Sequence, residues 1–143
     1  MAGAAVVIVL AYIVFFSVRI ARGVARTGSD AELLVRLQVL NASGRSGMVS
    51  WIADRLNGYS DRELEIKVVD SGNFDLTEVP QSFVISREQD SRSAKALATK
   101  LGLDPAAVII KPLASNHRLV TATLVVGRDY ARITLNAQNS KEK

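Results

Sequence analysis

The chain contains no cysteine and only one histidine, His117, in 143 residues. Disulfide bridges, thiol catalysis and cysteine-ligated metals are therefore excluded, and one imidazole cannot build a histidine-rich metal cluster. The missing cysteines leave the redox compartment open. A strong imbalance of charge is also lacking. The formal net charge is +4, and Arg19, Arg22 and Arg26 supply three of the positive charges just after the first apolar run. From Leu33 onward fifteen Lys and Arg face twelve Asp and Glu, an excess too small to point to nucleic acid.

Charge is absent altogether from Met1 to Val18, MAGAAVVIVLAYIVFFSV. As a helix this run spans roughly 27 Å, close to the thickness of a bilayer core, and Ile20 with snorkelling arginines extends it. Residues 1–23 are expected to form a transmembrane anchor, followed by a linker over 24–32, a domain over 33–135 and a flexible tail over 136–143. No basic leading region is present, and the run exceeds the roughly 7 to 15 apolar residues of a signal peptide, so the anchor is expected to stay uncleaved. Taken alone, the arginines on its C-terminal side would hold the domain in the cytoplasm.

The remainder, in a chain 48% hydrophobic and 22% charged, is enough for one domain with a real core. Val35, Leu37 and Val39 alternate with Arg36 and Gln38, which predicts a strand ending near Asn41. Met48, Val49, Ile52, Ala53 and Leu56 fall on one side at helical spacing, and Gly58 is placed to stop that helix. Leu64, Ile66 and Val68 predict a second strand, closed by a turn at Asp70-Ser71-Gly72-Asn73. Phe83 to Ile85 is a short strand. Ala94, Leu97, Ala98 and Leu101 then mark a helix capped by Asp90 or Ser91 and stopped by Gly102. Val108 to Ile110 and Leu119 to Val126 are further strands, with a little more strand expected at Ile133 to Leu135. The fold class is α/β with α+β character: a single sheet in the order β-α-β-β-α-β-β, two helices on one face and the other face wet.

Four segments carry a family resemblance: Val35 to Ala53 (VRLQVLNASGRSGMVSWIA), Val68 to Asn73 (VVDSGN), the alanine-rich stretch Phe83 to Gly102, and Val125 to Tyr130 (VVGRDY). Together they resemble the C-terminal domain of the LytR-CpsA-Psr cell-envelope proteins, in that family's order and spacing. The family pattern usually has Asn-Gly where this chain has Asn41-Ala42. In longer members the domain follows a membrane helix and a catalytic domain that transfers glycopolymers to peptidoglycan outside the cytoplasmic membrane. This chain resembles the stand-alone anchored members. The resemblance implies an extracytoplasmic, non-catalytic, single-pass module that contacts peptidoglycan, an anionic wall polymer or an envelope protein. That location runs against the arginine bias, which suits an inward-facing regulator binding protein or nucleic acid.

The segment Asn41 to Gly47 leaves a strand and enters a helix, where unpaired N-H groups favour an anion. Gly44 and Gly47 allow close backbone approach, Ser43 and Ser46 offer hydroxyls, and Arg45 brings charge. The same residues also suit a plain turn, with Ser46 as N-cap and Arg45 solvated. Gly44-Arg45-Ser46-Gly47 spells the GxxG of KH domains, but that loop lies between two helices, so RNA is not expected. No P-loop or dinucleotide fingerprint is completed. Trp51 falls at the edge of its helix's apolar face, fit to stack on a sugar or to cover the core's rim. Arg128-Asp129-Tyr130 reads as a turn held by an Arg-Asp pair with Tyr130 packed inward, or as a ligand contact through Arg128. No catalytic residue, metal or cofactor is expected, and His117 falls in a solvated turn.

Overall fold

A computed structural model of the chain describes residues 31–135. The expected anchor, most of the linker and the tail lie outside the described residues. Among the described residues no helix is long and apolar enough to cross a membrane.

Five strands form one sheet. They are β1 (Leu33–Asn41), β2 (Leu64–Asn73), β3 (Phe83–Ser86), β4 (Ile109–Ile110) and β5 (Ala122–Val126), with helices α1 (Met48–Leu56) and α2 (Arg92–Lys100) between them. The spatial order is β2-β1-β5-β3-β4. β1 runs parallel to both β2 and β5, whereas β3 is antiparallel to β5. The mixed α/β class, the single sheet and the chain order therefore match the sequence pattern.

Alternation on β1 does what it predicts: Val35, Leu37 and Val39 are fully buried, and the residues between them are not. These three pack with Ile52 and Leu56 of α1, Ala94, Leu97 and Ala98 of α2, and Ala122, Leu124 and Val126 of β5 in one cluster. Both helices thus cover the same face. The core is closed at its edge by Leu101 and Ile133. Gly58 and Gly102 follow the two helix ends as expected.

Three local expectations are corrected. β2 does not turn at Asp70; it continues to Asn73 through a bulge that leaves Val69 unpaired, because β1 offers ladder partners as far as Asn41. Ser46 does not cap α1. Gly47 holds that position at φ 81, a conformation that glycine adopts without strain, and no side chain caps the helix. At α2 the two expected residues do start the helix: Ser91 holds the N-cap position and Asp90 accepts from the Arg92 N-H at 3.0 Å. Ile133 to Leu135 is not a strand. A 3-10 turn at Tyr130–Arg132 precedes it, and the Thr134 N-H donates to the Leu101 carbonyl at 3.3 Å.

The second face of the sheet is not simply wet. Thr123 and Val125 are fully buried there. Residues 74–82 fold over its end, so that Phe74 and Val79, with Phe83 of β3, pack against Ala42, Ile85 and Val125, the Phe74 and Phe83 rings edge to face. Beside this cap runs a polar row. Arg118 pairs with Asp70, Gln38 donates to Asp70 at 2.8 Å, Thr123 donates to Gln38 at 2.9 Å, and Arg87 donates to Thr123 at 2.8 Å.

Candidate functional site

Three parallel strands, β1, β2 and β5, end at the same edge of the sheet, so the segments leaving them converge there. This is the edge at which open α/β sheets place ligands. After β1 comes the 42–47 loop, after β2 the 74–82 segment, and after β5 the run Gly127-Arg128-Asp129-Tyr130.

The first loop is built by Asn41. Its amide donates to the Arg45 carbonyl at 2.7 Å, and its Oδ1 accepts from the Ser43 N-H at 3.1 Å and the Ser43 hydroxyl at 2.7 Å. The Ser43 hydroxyl in turn accepts the Arg45 N-H at 3.2 Å. Asn41 and Ser43 are thus spent on shaping the loop. The result aims Arg45 across the gap, where its guanidinium donates to the Tyr130 hydroxyl at 2.8 Å and lies 5.8 Å from that ring's centre.

The other wall is locked by Asp129 and Ser82. Both the backbone N-H and the hydroxyl of Ser82 donate to Asp129 at 2.7 Å, and the Gly127 N-H donates to the Ser82 hydroxyl at 2.9 Å. A Cβ on Gly127 would sit 2.7 Å from the Gln81 carbonyl carbon and from the Val79 oxygen, so only glycine lets these strands of chain touch. The Arg128 N-H donates to the Val79 carbonyl at 2.8 Å. This corrects the expected Arg-Asp pair: Asp129 serves Ser82, and the carboxylate facing Arg128 is Glu78, at 3.9 Å. Tyr130 does pack against the core, as expected, while its hydroxyl stays within reach of Arg45.

Ser43, Gly44, Arg45, Glu78, Arg128 and Tyr130 line a polar cleft of about 330 Å³. Glu78 enters it at φ 60, in the left-handed region that non-glycine residues seldom occupy. Its Cγ would lie 3.1 Å from a Cβ at residue 44, so Gly44 makes room for that side chain. Two cations, one carboxylate and one phenol face a shared space. Such a set can bind an anion with bidentate donors and accept a hydroxyl beside it.

Of the residues singled out in the sequence, Ser43, Gly44, Arg45 and Arg128 meet in this cleft, with Asn41 supporting it. Ser46 and Gly47 are exposed at the start of α1 and do not line it. Trp51 is elsewhere. Its side chain, 46% exposed, shares a shallow groove with Arg55, Ile133 and Leu135, and the Arg55 guanidinium lies 4.8 Å over the indole. Glu78 was not legible, because nothing in Asp75 to Pro80 marks it beyond ordinary surface charge. His117 lies in an exposed turn with Ser115 at 2.8 Å. Among the described residues no group of three or more His, Asp or Glu is placed to hold a metal.

Fold and cleft together describe a small α/β domain with a polar cleft at the carboxyl ends of its parallel strands. The chain belongs to the LytR C-terminal domain family. The family model described as LytR cell envelope-related transcriptional attenuator matches residues 34–130, a span that contains every residue lining the cleft. No curated protein and no solved structure matches the chain.

Proposed function

We propose that this cell-envelope-related chain is a membrane-anchored binding or scaffold module. Its domain works on the outer side of the cytoplasmic membrane and contacts peptidoglycan, an anionic wall glycopolymer or an envelope assembly partner, without bond chemistry. The observation that carries the ligand class is the convergence of Arg45 and Arg128 with Tyr130 and Glu78 in one cleft. A phosphate or carboxylate would take the two guanidinium groups, and Glu78 would accept a neighbouring hydroxyl, so a hydroxyl-rich anion fits better than a bare one. The volume lies at the lower end of small-ligand sites, enough for about one repeat unit of a polymer. Tethering compensates for weak single contacts, since an anchor keeps the local concentration high.

The test is retention of the full-length chain, in detergent, on purified cell-wall sacculi. Arg45→Ala and Arg128→Ala are each expected to weaken binding about tenfold or more, the usual cost of losing a charge-assisted hydrogen bond. Trp51→Ala, away from the cleft, is expected to bind as wild type. Unchanged binding by both arginine variants refutes the cleft. The cluster Arg19, Arg22 and Arg26 favours a second reading, an inward-facing regulator. Phosphatase activity of a C-terminal fusion supports the outward reading; fluorescence of a cytoplasm-only reporter in its place supports the inward one.

A further inference from the structure

At the end of β1 away from the cleft, a short loop is built to hold one leucine in water. Leu119 is 64% exposed and sits at φ 53, a conformation unfavourable for a residue with a Cβ. The loop is nonetheless rigidly braced. The Asn116 side chain both accepts the Val120 N-H and donates to the Val120 carbonyl at 2.8 Å, and the Leu119 N-H donates to the Asn116 carbonyl at 3.1 Å. From beneath, the Arg36 guanidinium donates to the carbonyls of Arg118 at 2.9 Å and of Leu119 at 3.2 Å. Packing within the domain does not call for a leucine at this tip.

Its neighbours are mixed in a particular way. Leu34, 44% exposed, shares the strand face of Arg36. Lys67 lies across from Arg36 on β2. Asp70 is paired with Arg118 and Glu65 with Lys67, whereas Arg36 has no carboxylate partner among the described residues. Glu65, across from Leu34, is held by Lys67, so two exposed leucines share this face with one unneutralised cation, a composition that settles at a bilayer interface.

The chain itself says which surface lies within reach. It enters β1 at Leu33, and only the residues from Arg19 to Glu32 separate that point from the uncharged run Met1 to Val18. Even fully extended this connection spans at most about 50 Å. Along β1, Leu34 is roughly 23 Å from Asn41, where the cleft begins. We propose that Leu119, Leu34, Arg36 and Lys67 form a docking surface for anionic lipid headgroups, which turns the opposite end of the domain, with its cleft, away from the bilayer. This rests on the anchor of the preceding section.

Because the chain has no cysteine, a single introduced thiol carries a dye at one place. Full-length His117→Cys, labelled with an environment-sensitive fluorophore, is reconstituted in vesicles of phosphatidylcholine with or without phosphatidylglycerol, and Thr77→Cys on the cleft side is the reference. With phosphatidylglycerol the dye at 117 is expected to shift to the blue and resist an aqueous quencher, while the dye at 77 stays wet. Added salt reverses the shift. In the 117 background, Leu119→Asn keeps a residue that tolerates the left-handed backbone and removes the apolar side chain; it is expected to abolish protection. Lys67→Gln, which does not brace the loop, is expected to weaken docking about fivefold. A dye at 117 as wet as at 77 on vesicle-bound chain overturns the inference. So does equal protection on neutral vesicles, or protection that survives Leu119→Asn. A chain that fails to float with vesicles refutes the anchor instead, and this contact with it, in a separate measurement.

Discussion

Asp61 offers the sharpest test of how the two halves of the domain are joined. It sits between α1 and β2, and its carboxylate receives the Lys100 ammonium from the end of α2 at 2.6 Å and the Tyr59 hydroxyl at 2.9 Å. Its other oxygen accepts the Leu64 and Glu63 N-H groups at 2.8 and 2.9 Å. The Asp61 and Lys100 side chains are 20% and 16% exposed. Burial alone would raise the Asp61 pKa, but the hydrogen bonds from Lys100, Leu64 and Tyr59 outweigh it and hold the group at about 2, below the ordinary 3.8. The Lys100 ammonium is correspondingly held above its ordinary range, chiefly by its hydrogen bond to Asp61.

A carboxyl group with a depressed folded pKa stabilises the fold above its unfolded pKa and loses that contribution as pH falls through the folded value. The shift corresponds to about 2 kcal/mol, full above pH of about 5, mostly lost by pH of about 2 and gone near pH of about 1. Asp61→Asn keeps an oxygen for the two backbone donors and removes the charge that Lys100 faces. Urea unfolding at a series of pH values is therefore expected to show the variant about 2 kcal/mol less stable at pH 7, with the gap closing steadily below pH 4. A gap that stays constant down to pH 3 would show that Asp61 acts through shape alone and would refute the reasoning.

Gly127→Ala forces a methyl group into backbone atoms that have no side-chain freedom to retreat, and it is expected to cost about 3 kcal/mol in thermal or urea unfolding, at the upper end of overpacking penalties. Glu78→Gln removes the negative charge facing Arg128, so binding of inorganic phosphate, read by calorimetry, is expected to strengthen severalfold, while a ligand that needs the carboxylate as hydroxyl acceptor binds more weakly.

What the sequence made legible followed the core. Val35, Leu37 and Val39 on β1, and Ile52 and Leu56 on α1, report their burial through periodicity, because a two-residue or 3.6-residue repeat of apolar side chains has few other causes. The misses share a different cause: in each, a long-range partner decided the outcome. Asp70 to Asn73 carries turn chemistry, yet β1 supplies a ladder for it. Ser46 has the right side chain for a cap, but the Asn41–Ser43–Arg45 bonds close the loop so that Gly47 takes that place. Alternation on β1 and β2 predicts a wet face, but it says nothing of residues 74–82 folding across from a distance. At the cleft the same division holds. Arg45 and Arg128 could be named as charged residues beside glycines, whereas Glu78 becomes visible only when its backbone conformation and the space at Gly44 are known.

The cleft's construction bears on the anion proposed for it. The walls that carry Arg45 and Arg128 are fixed from behind: Asn41 holds the Arg45 loop, and Ser82 with Asp129 holds the Arg128 turn. Preorganised walls bind with little ordering cost, so selectivity falls to the charged side-chain ends that face the space. Those are the ends of Arg45, Arg128 and Glu78, two cations against one anion. A singly charged diester or carboxylate completes that balance, while a second negative charge would meet Glu78 at close range with no further cation in the lining to offset it. Discrimination between a monoanionic and a dianionic phosphate is thus the property this geometry is best suited to show, and Glu78 is the residue through which it would be lost.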